Sequence, residues 1–199
     1  NLDSKAEFGA PDAYVERSGS NITFKDANNA SAVTLSELKL ARRISTLNLA
    51  IDKHDTFYKT PAPALVTRAG TSNTGTKLSA FAFDAATEEF LVYDVELPPD
   101  LDASGTVNIR IQWIPATASA SNVVWKIYHA SVNAGSTLDV ALASITVTSA
   151  GSATTDVISE AVITETVATL GWASGDHLIL HVSRDAANGS DNLTGDAQL

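Results

Sequence analysis

Few residues in this chain stand at spacings that could do chemistry. Its histidines are His54, His129, His177 and His181, and it has no cysteine. A thiolate nucleophile, a thiolate metal site and a disulfide framework are therefore all excluded. A Ser-His-acid hydrolase often sets its serine in a Gly-x-Ser-x-Gly elbow, and none occurs here. Neither a Gly-x-x-x-x-Gly-Lys phosphate loop nor a Gly-x-Gly-x-x-Gly fingerprint is present, so nucleotide chemistry has no platform. His177 and His181 fall on one face of an expected strand, but their Cα atoms then lie about 13 Å apart. That is too far to share a zinc ion whose His nitrogens sit about 2 Å from the metal. Glu88 and Glu89 are adjacent, so on a strand they face opposite ways and cannot flank one glycosidic bond. With Asp84-Ala85-Ala86-Thr87 before them they are expected in a hairpin loop.

Calcium is the remaining ligand chemistry to weigh. Asp100-Leu101-Asp102-Ala103-Ser104-Gly105 opens like an oxygen-rich calcium loop with glycine at the sixth position. The match fails at the twelfth position, where Ile111 replaces a bidentate glutamate. Asp185, Asn188, Asp191 and Asp196 make a second oxygen-rich group. Asp100, Asp102, Asp185 and Asp191 are thus weak calcium candidates, and solvated interstrand loops account for the same residues. No cofactor is expected. Asn21, Asn29, Asn188 and Asn192 each begin an Asn-x-Ser/Thr triplet, as a chain rich in Asn, Ser and Thr does without consequence.

Flat aromatic side chains could offer a sugar-stacking surface. Trp113 alternates with Val107, Ile109 and Ile111, and Trp125 with Val123 and Ile127, which assigns both to a core. Tyr93 and Tyr128 are further aromatic candidates. Trp172, in Leu170-Gly171-Trp172-Ala173 beside a turn, is the one expected to be exposed and to contact a glycan.

These residues need a scaffold, and the hydrophobic pattern supplies one. Strand-like segments run over Ala64 to Arg68, Leu78 to Asp84, Phe90 to Leu97, Thr106 to Pro115, Val123 to Ser131, Ala141 to Thr148, Asp156 to Thr166 and His177 to Arg184. Each is rich in β-branched or aromatic residues and most alternate. Turn signals separate them, among them Pro98-Pro99-Asp100, Asn133-Ala134-Gly135-Ser136 and Ser174-Gly175-Asp176. Eight strands imply an antiparallel two-sheet sandwich of jelly-roll type over residues 61–199. Leu138 to Leu142 is the one helix-compatible patch within it. Asp196-Ala197-Gln198-Leu199 looks like the start of a further strand. A sandwich ending there lacks its last strand, through truncation or because a partner supplies it.

Residues 1–60 read as a separate N-terminal anchoring region, closed by the extended connector Thr60-Pro61-Ala62-Pro63. Ser20 to Asp26 alternates as a strand, Asp26-Ala27-Asn28-Asn29 turns, and Ala32 to Leu35 returns. Thr34 and Glu37 fit a capping box that starts a short helix. Leu40, Ile44, Leu47 and Ile51 follow at spacings of four, three and four. This stripe fits a helix packed on its own domain, and more sharply read, a short parallel trimer seam.

Bulk properties narrow the class. The 199 residues suffice for a sizeable core. The content is 44% hydrophobic and 18% charged, which is too apolar for disorder. No apolar run reaches the roughly 18 residues that a membrane-spanning helix needs. A net charge of −10 repels phosphate backbones, so nucleic acid is not an expected partner. With no methionine in the chain, and no signal-peptide layout at its start, some sequence is expected ahead of Asn1.

Several patches carry a resemblance. Ser18 to Asp26 with Val33 to Leu38 resembles the N-terminal hairpin and helix of bacteriophage structural proteins. Phe81 to Glu89, and Ser183-Arg184-Asp185 through Gly195-Asp196-Ala197, are similar to β domains of phage fibre and head proteins. The resemblance implies a homotrimeric virion component, a capsid-attached fibre or decoration protein or a tail-fibre protein. Such a protein sits on the particle surface and touches other virion proteins and a host-surface glycan. The resemblance transfers no functional residue. From the residues alone, a carbohydrate-binding module is the alternative, and an enzyme comes third.

Overall fold

The computed structural model describes the backbone at residues 6–7, 14–18, 21–25, 33–34 and 57–59, and the whole of residues 61–199. The chain divides into two compact units, Asn1–Arg43 and Ile44–Leu199. In the first unit, β1 (Ala6–Glu7), β2 (Tyr14–Ser18), β3 (Asn21–Lys25) and β4 (Val33–Thr34) form one antiparallel sheet in sequence order. The expected return strand is β4, with Phe24 opposite Val33. Thr34 of the capping box is the last residue of β4, while Glu37 and the Leu40, Ile44, Leu47, Ile51 stripe lie outside the described residues.

The second unit is mainly β. Its strands are β5 (Phe57–Lys59), β6 (Ala64–Ala69), β7 (Lys77–Phe83), β8 (Phe90–Glu96), β9 (Thr106–Pro115), β10 (Asn122–Val132), β11 (Ala143–Ala150), β12 (Ser159–Thr166), β13 (His177–Arg184) and β14 (Ala197–Gln198). One sheet has the order β11-β10-β13-β8-β5 and the other β12-β9-β14-β7-β6. Among the described strands of this unit only β6–β7 and β10–β11 are hairpins within a sheet; each other link from β7 to β14 crosses to the opposite sheet. With β5 and β6 set aside as edge additions, β8-β13-β10-β11 facing β7-β14-β9-β12 is the eight-stranded jelly roll. The division of the chain falls before the proline connector because β5 precedes it and already pairs with β8.

Alternation explains the filling. Phe81, Phe83, Leu91, Ile111, Trp113, Trp125, Ile127, Leu178 and Leu180 project between the sheets and are buried. The rings of Phe83 and Trp113 meet Trp125 edge-on, at centroid distances of 5.3 and 6.1 Å, a favourable quadrupole arrangement. Gly151 exists for space: a Cβ there would stand 2.4 Å from the Ser119 carbonyl oxygen and 3.1 Å from the Trp113 ring.

Three local expectations are corrected. Leu138 to Leu142 forms no helix, since so short and exposed a segment has no apolar face to bury (Leu138 is 76% exposed). The helical turn is α1 (Val167–Leu170) instead, capped by the Thr166 side chain and by Gly171 at φ +66, burying Val167 and Leu170. The Glu88-Glu89 segment is no hairpin loop, because β7 and β8 belong to different sheets and it spans them. Finally, the last strand is not missing: Ala197–Gln198 inserts as β14 between β7 and β9.

That insertion depends on one buried charge. Arg184 is fully buried at the end of β13, where Asp191 accepts from its Nε and Nη2 at 3.0 and 2.7 Å. Its remaining donors go to the carbonyls of Leu193, Gly195 (2.7 Å) and Phe83 (3.4 Å). Removing one member of a buried pair leaves the other charge unpaired, at a cost of about 3–5 kcal/mol. Asp191→Ala is therefore expected to lower unfolding free energy by about that much in urea titrations. Arg184→Met combined with Asp191→Leu should cost less than the single change. A single-mutant loss below about 1 kcal/mol would contradict a load on this pair.

Candidate functional site

The two outward faces differ in chemistry. On the β12-β9 side, Asn108, Arg110, Gln112, Glu160 and Thr164 face solvent and pair among themselves, as in the 2.8 Å Thr164–Asn108 hydrogen bond. On the β10-β13-β8 side, outward positions carry Phe90, Val92, Ile179 and Val132. Asp94, Glu96, Lys126, His177, His181 and Ser183 share that face, so the apolar positions form a strip among polar ones.

A recess of about 430 Å³ lies on this second face, lined by Val92, Asp94, Val132, Asn133, Leu138, His177 and Ile179 among others. That is the size of a small-ligand site. The β10–β11 loop supplies one wall through Asn133, Ser136 and Leu138. His177 Nδ1 lies 3.5 Å from Asp94 at the rim.

Beside it, Tyr128 and Ser183 both donate to Glu88 Oε1, at 3.0 and 2.9 Å. The Lys126 ammonium stands 4.8 Å from the Tyr128 ring centre and 4.0 Å from Asp185. Interaction with the Tyr128 side chain holds Lys126 above its usual pKa, against the opposing effect of burial. His181 is half-buried between Tyr128 and Val92 across the sheet. Glu89 accepts from the Asp84 amide at 2.8 Å and is pushed up by burial. Asp84 is held low chiefly by the Ala86 amide that it caps.

The sequence-derived candidates fall elsewhere. Trp172 is buried, not exposed: Gly171 reverses the chain after α1, the Trp172 amide donates to Val167, and the indole turns inward. Its Nε1 donates to His129 Nδ1 at 3.2 Å, so it offers no stacking surface to a sugar. Tyr93 is likewise buried, whereas Tyr128 stays half-exposed on the outer face. Trp113 and Trp125 are core residues.

The calcium candidates are scattered and engaged. Asp102 closes a turn onto Ser104, whose amide and hydroxyl lie 2.9 and 2.7 Å away, while Asp100 is exposed. Asp191 is taken by Arg184 and Asp185 faces Lys126. Among the described residues no cluster of three or more His, Asp or Glu is placed to hold a metal ion.

Sequence reading missed the recess. The signal was present in Phe90-Leu91-Val92-Tyr93 and Leu178-Ile179-Leu180, apolar without alternation. Comparison with protein-family models, with curated proteins and with solved structures finds no match.

The His129–Trp172 contact makes a pH prediction. Burial lowers the His129 pKa, so the unfolded chain binds the proton more readily than the folded one. The stability this neutral histidine contributes is present above pH 6.5 and is lost as pH falls through the lowered folded value. Thermal midpoints should fall between pH 7 and pH 5, and His129→Asn should fall less over the same interval. An equal fall in both proteins would remove His129 as the cause.

Proposed function

We propose that this chain is a non-enzymatic bacteriophage virion protein, a capsid-attached fibre or decoration component or a tail-fibre component, that assembles as a homotrimer. The observation that carries the assembly part is the asymmetry of the two outer faces. One jelly-roll sheet presents paired polar side chains, and the other presents the half-buried Val92 and Ile179 beside the exposed Leu138. A second layer on that face would remove this apolar surface from water, at about 25 cal/mol per Å². The jelly roll recurs in viral capsid and lectin domains, which is support by analogy of fold. The resemblance of the Ser18–Asp26 and Phe81–Glu89 segments to phage structural proteins supplies the virion setting, and the charge of −10 disfavours a nucleic-acid role.

A carbohydrate-binding module is the second reading, and the recess favours it: an apolar floor of Val92, Val132 and Ile179 with Asp94, Asn133, Ser136 and His177 at its rim. This places any glycan contact away from the buried Trp172.

Light scattering of the purified chain separates the two. A mass three times the chain's 20.8 kDa is expected. Ile44→Asp with Leu47→Asp should dissociate the trimer while the β domain keeps its melting transition. A monomer that binds a glycan through the recess would overturn the virion reading, and an undissociated trimer in the double mutant would remove the seam from residues 40–51.

A further inference from the structure

In an antiparallel ladder, every second residue of a strand directs both its N–H and its C=O to the same neighbour. The Gly151 amide donates to the Ser121 carbonyl at 2.9 Å, in the register that sets Asn122 opposite Ala150. That fixes the phase: the odd residues of β11 bond β10, and Ser144, Thr146 and Thr148 turn their main-chain groups the other way. The far side of β10 agrees, because there the Asp185 amide donates to the even-numbered Val124 at 2.8 Å. β11 ends its sheet, so no described strand lies beyond it, and all three residues are exposed.

Exposed sheet edges are ordinarily guarded by charge, proline, brevity or a covering segment. β5 is three residues long and ends in Lys59, β6 carries Arg68, and β12 carries Glu160 and Glu165. The Ser149 hydroxyl also donates to the Glu160 carbonyl at 3.1 Å. β11 reads Ala-Ser-Ile-Thr-Val-Thr-Ser-Ala, and no charged residue or proline occurs from Val140 to Thr155. In a chain of net charge −10, this is the edge at which two copies meet least repulsion.

We propose that β11 pairs antiparallel with β11 of a second copy about a twofold axis at Thr146, joining two sheets into one. The strand's own sequence argues for that occupant, because it is nearly the same read in either direction. Thr146 then stands opposite its own copy and Ser144 opposite Thr148, and these are the residues whose main-chain groups point outward. On the core side, Ile145 meets Val147 of the copy and Val147 meets its Ile145. Both pack on the core yet are only half-buried in the single chain, so the copy covers what the sandwich leaves open. A shift of two residues would set Val147 opposite Ala143 or Ile145 opposite Ser149 and lose that match. One strand edge falls short of the roughly 1,200 Å² of a stable interface, so the pairing is concentration-dependent. A twofold contact is isologous and cannot be the threefold seam; it doubles whichever assembly that seam builds.

Single cysteines test the register, since the chain has none of its own. Thr146→Cys brings its own copy within about 5.5 Å between Cα atoms, inside disulfide range. Thr148→Cys and Ser144→Cys each stand about 14 Å from theirs, four residues along the strand. With oxidised glutathione at high protein concentration, Thr146→Cys should form intermolecular dimers at least about tenfold faster than either. A mixture of Ser144→Cys and Thr148→Cys should form the mixed dimer faster than either forms its own. Equal rates for the three single variants, or the fastest dimers from Thr148→Cys or Ser144→Cys, would overturn the pairing. Thr146→Pro gives a second readout, because the amide it removes points away from β10. Its melting transition should remain, while the growth of scattering mass with concentration in the parent chain should vanish. Growth that persists in this variant, or a parent mass that never grows, would also overturn the proposal.

Discussion

The Arg184 guanidinium ties together three pieces of chain that the sandwich would otherwise leave separate. It sits at the end of β13 in one sheet and bonds to the carbonyl of Phe83 in the other. Asp191 and the Leu193 and Gly195 carbonyls bind its other donors, so the 185–195 loop crosses from sheet to sheet at this point. The Asp191 carboxylate also accepts from the Val124 amide, and Asn192 from the Asn122 amide, which pins the same loop to β10. A cation with no access to water must have its donors satisfied. The loop therefore has one arrangement, and that arrangement delivers Ala197 between β7 and β9. The jelly-roll order depends on this delivery, because β14 is what joins β7 to β9.

Once the sandwich closes, its two outer faces have different tasks. Polar cross-strand pairs on β9 and β12 hold that face in water. On the other, Val92 and Ile179 stay half-buried, and the β10–β11 loop forms a wall of the recess beside them. The same apolar strip underlies both functional readings, since it can seat another subunit or the apolar part of a glycan. Around it, Glu88, Tyr128, Ser183 and Lys126 form a polar network that fixes the strip's border.

Much of this architecture was legible beforehand. Thr106 to Pro115 and His177 to Arg184 read as strands over the observed bounds, because alternation and β-branched content agree there. Asp156 was assigned to a strand that begins only at Ser159. Its backbone is left-handed, at φ +60, and its carboxylate is held at a pKa of about 2, first by the Thr71 amide and then by Arg68. No local pattern encodes such a long-range bond. Trp172 differs for a related reason: its segment reads as lying beside a turn, but whether a ring beside a turn points in or out depends on the acceptor that awaits it. That acceptor is His129, 43 residues away. Arg184 reads as a strand end, and Asp185, Asn188, Asp191 and Asp196 read as an oxygen-rich interstrand loop with only a weak claim to calcium. The acidic oxygens were recognised, but their cation was a side chain.

The placement of β14 can be tested directly because the chain contains no cysteine of its own. Gln198 stands opposite Ala82 at a non-hydrogen-bonded pair, next to the bonded Leu199–Phe81 pair. Such a pair has Cα atoms about 4.5 Å apart, within disulfide range. Ala82→Cys with Gln198→Cys should oxidise to an intramolecular disulfide that mass spectrometry detects in the folded chain, whereas Ala80→Cys with Gln198→Cys should not. Cross-linking of the second pair in preference to the first would contradict this register, and with it the jelly-roll closure.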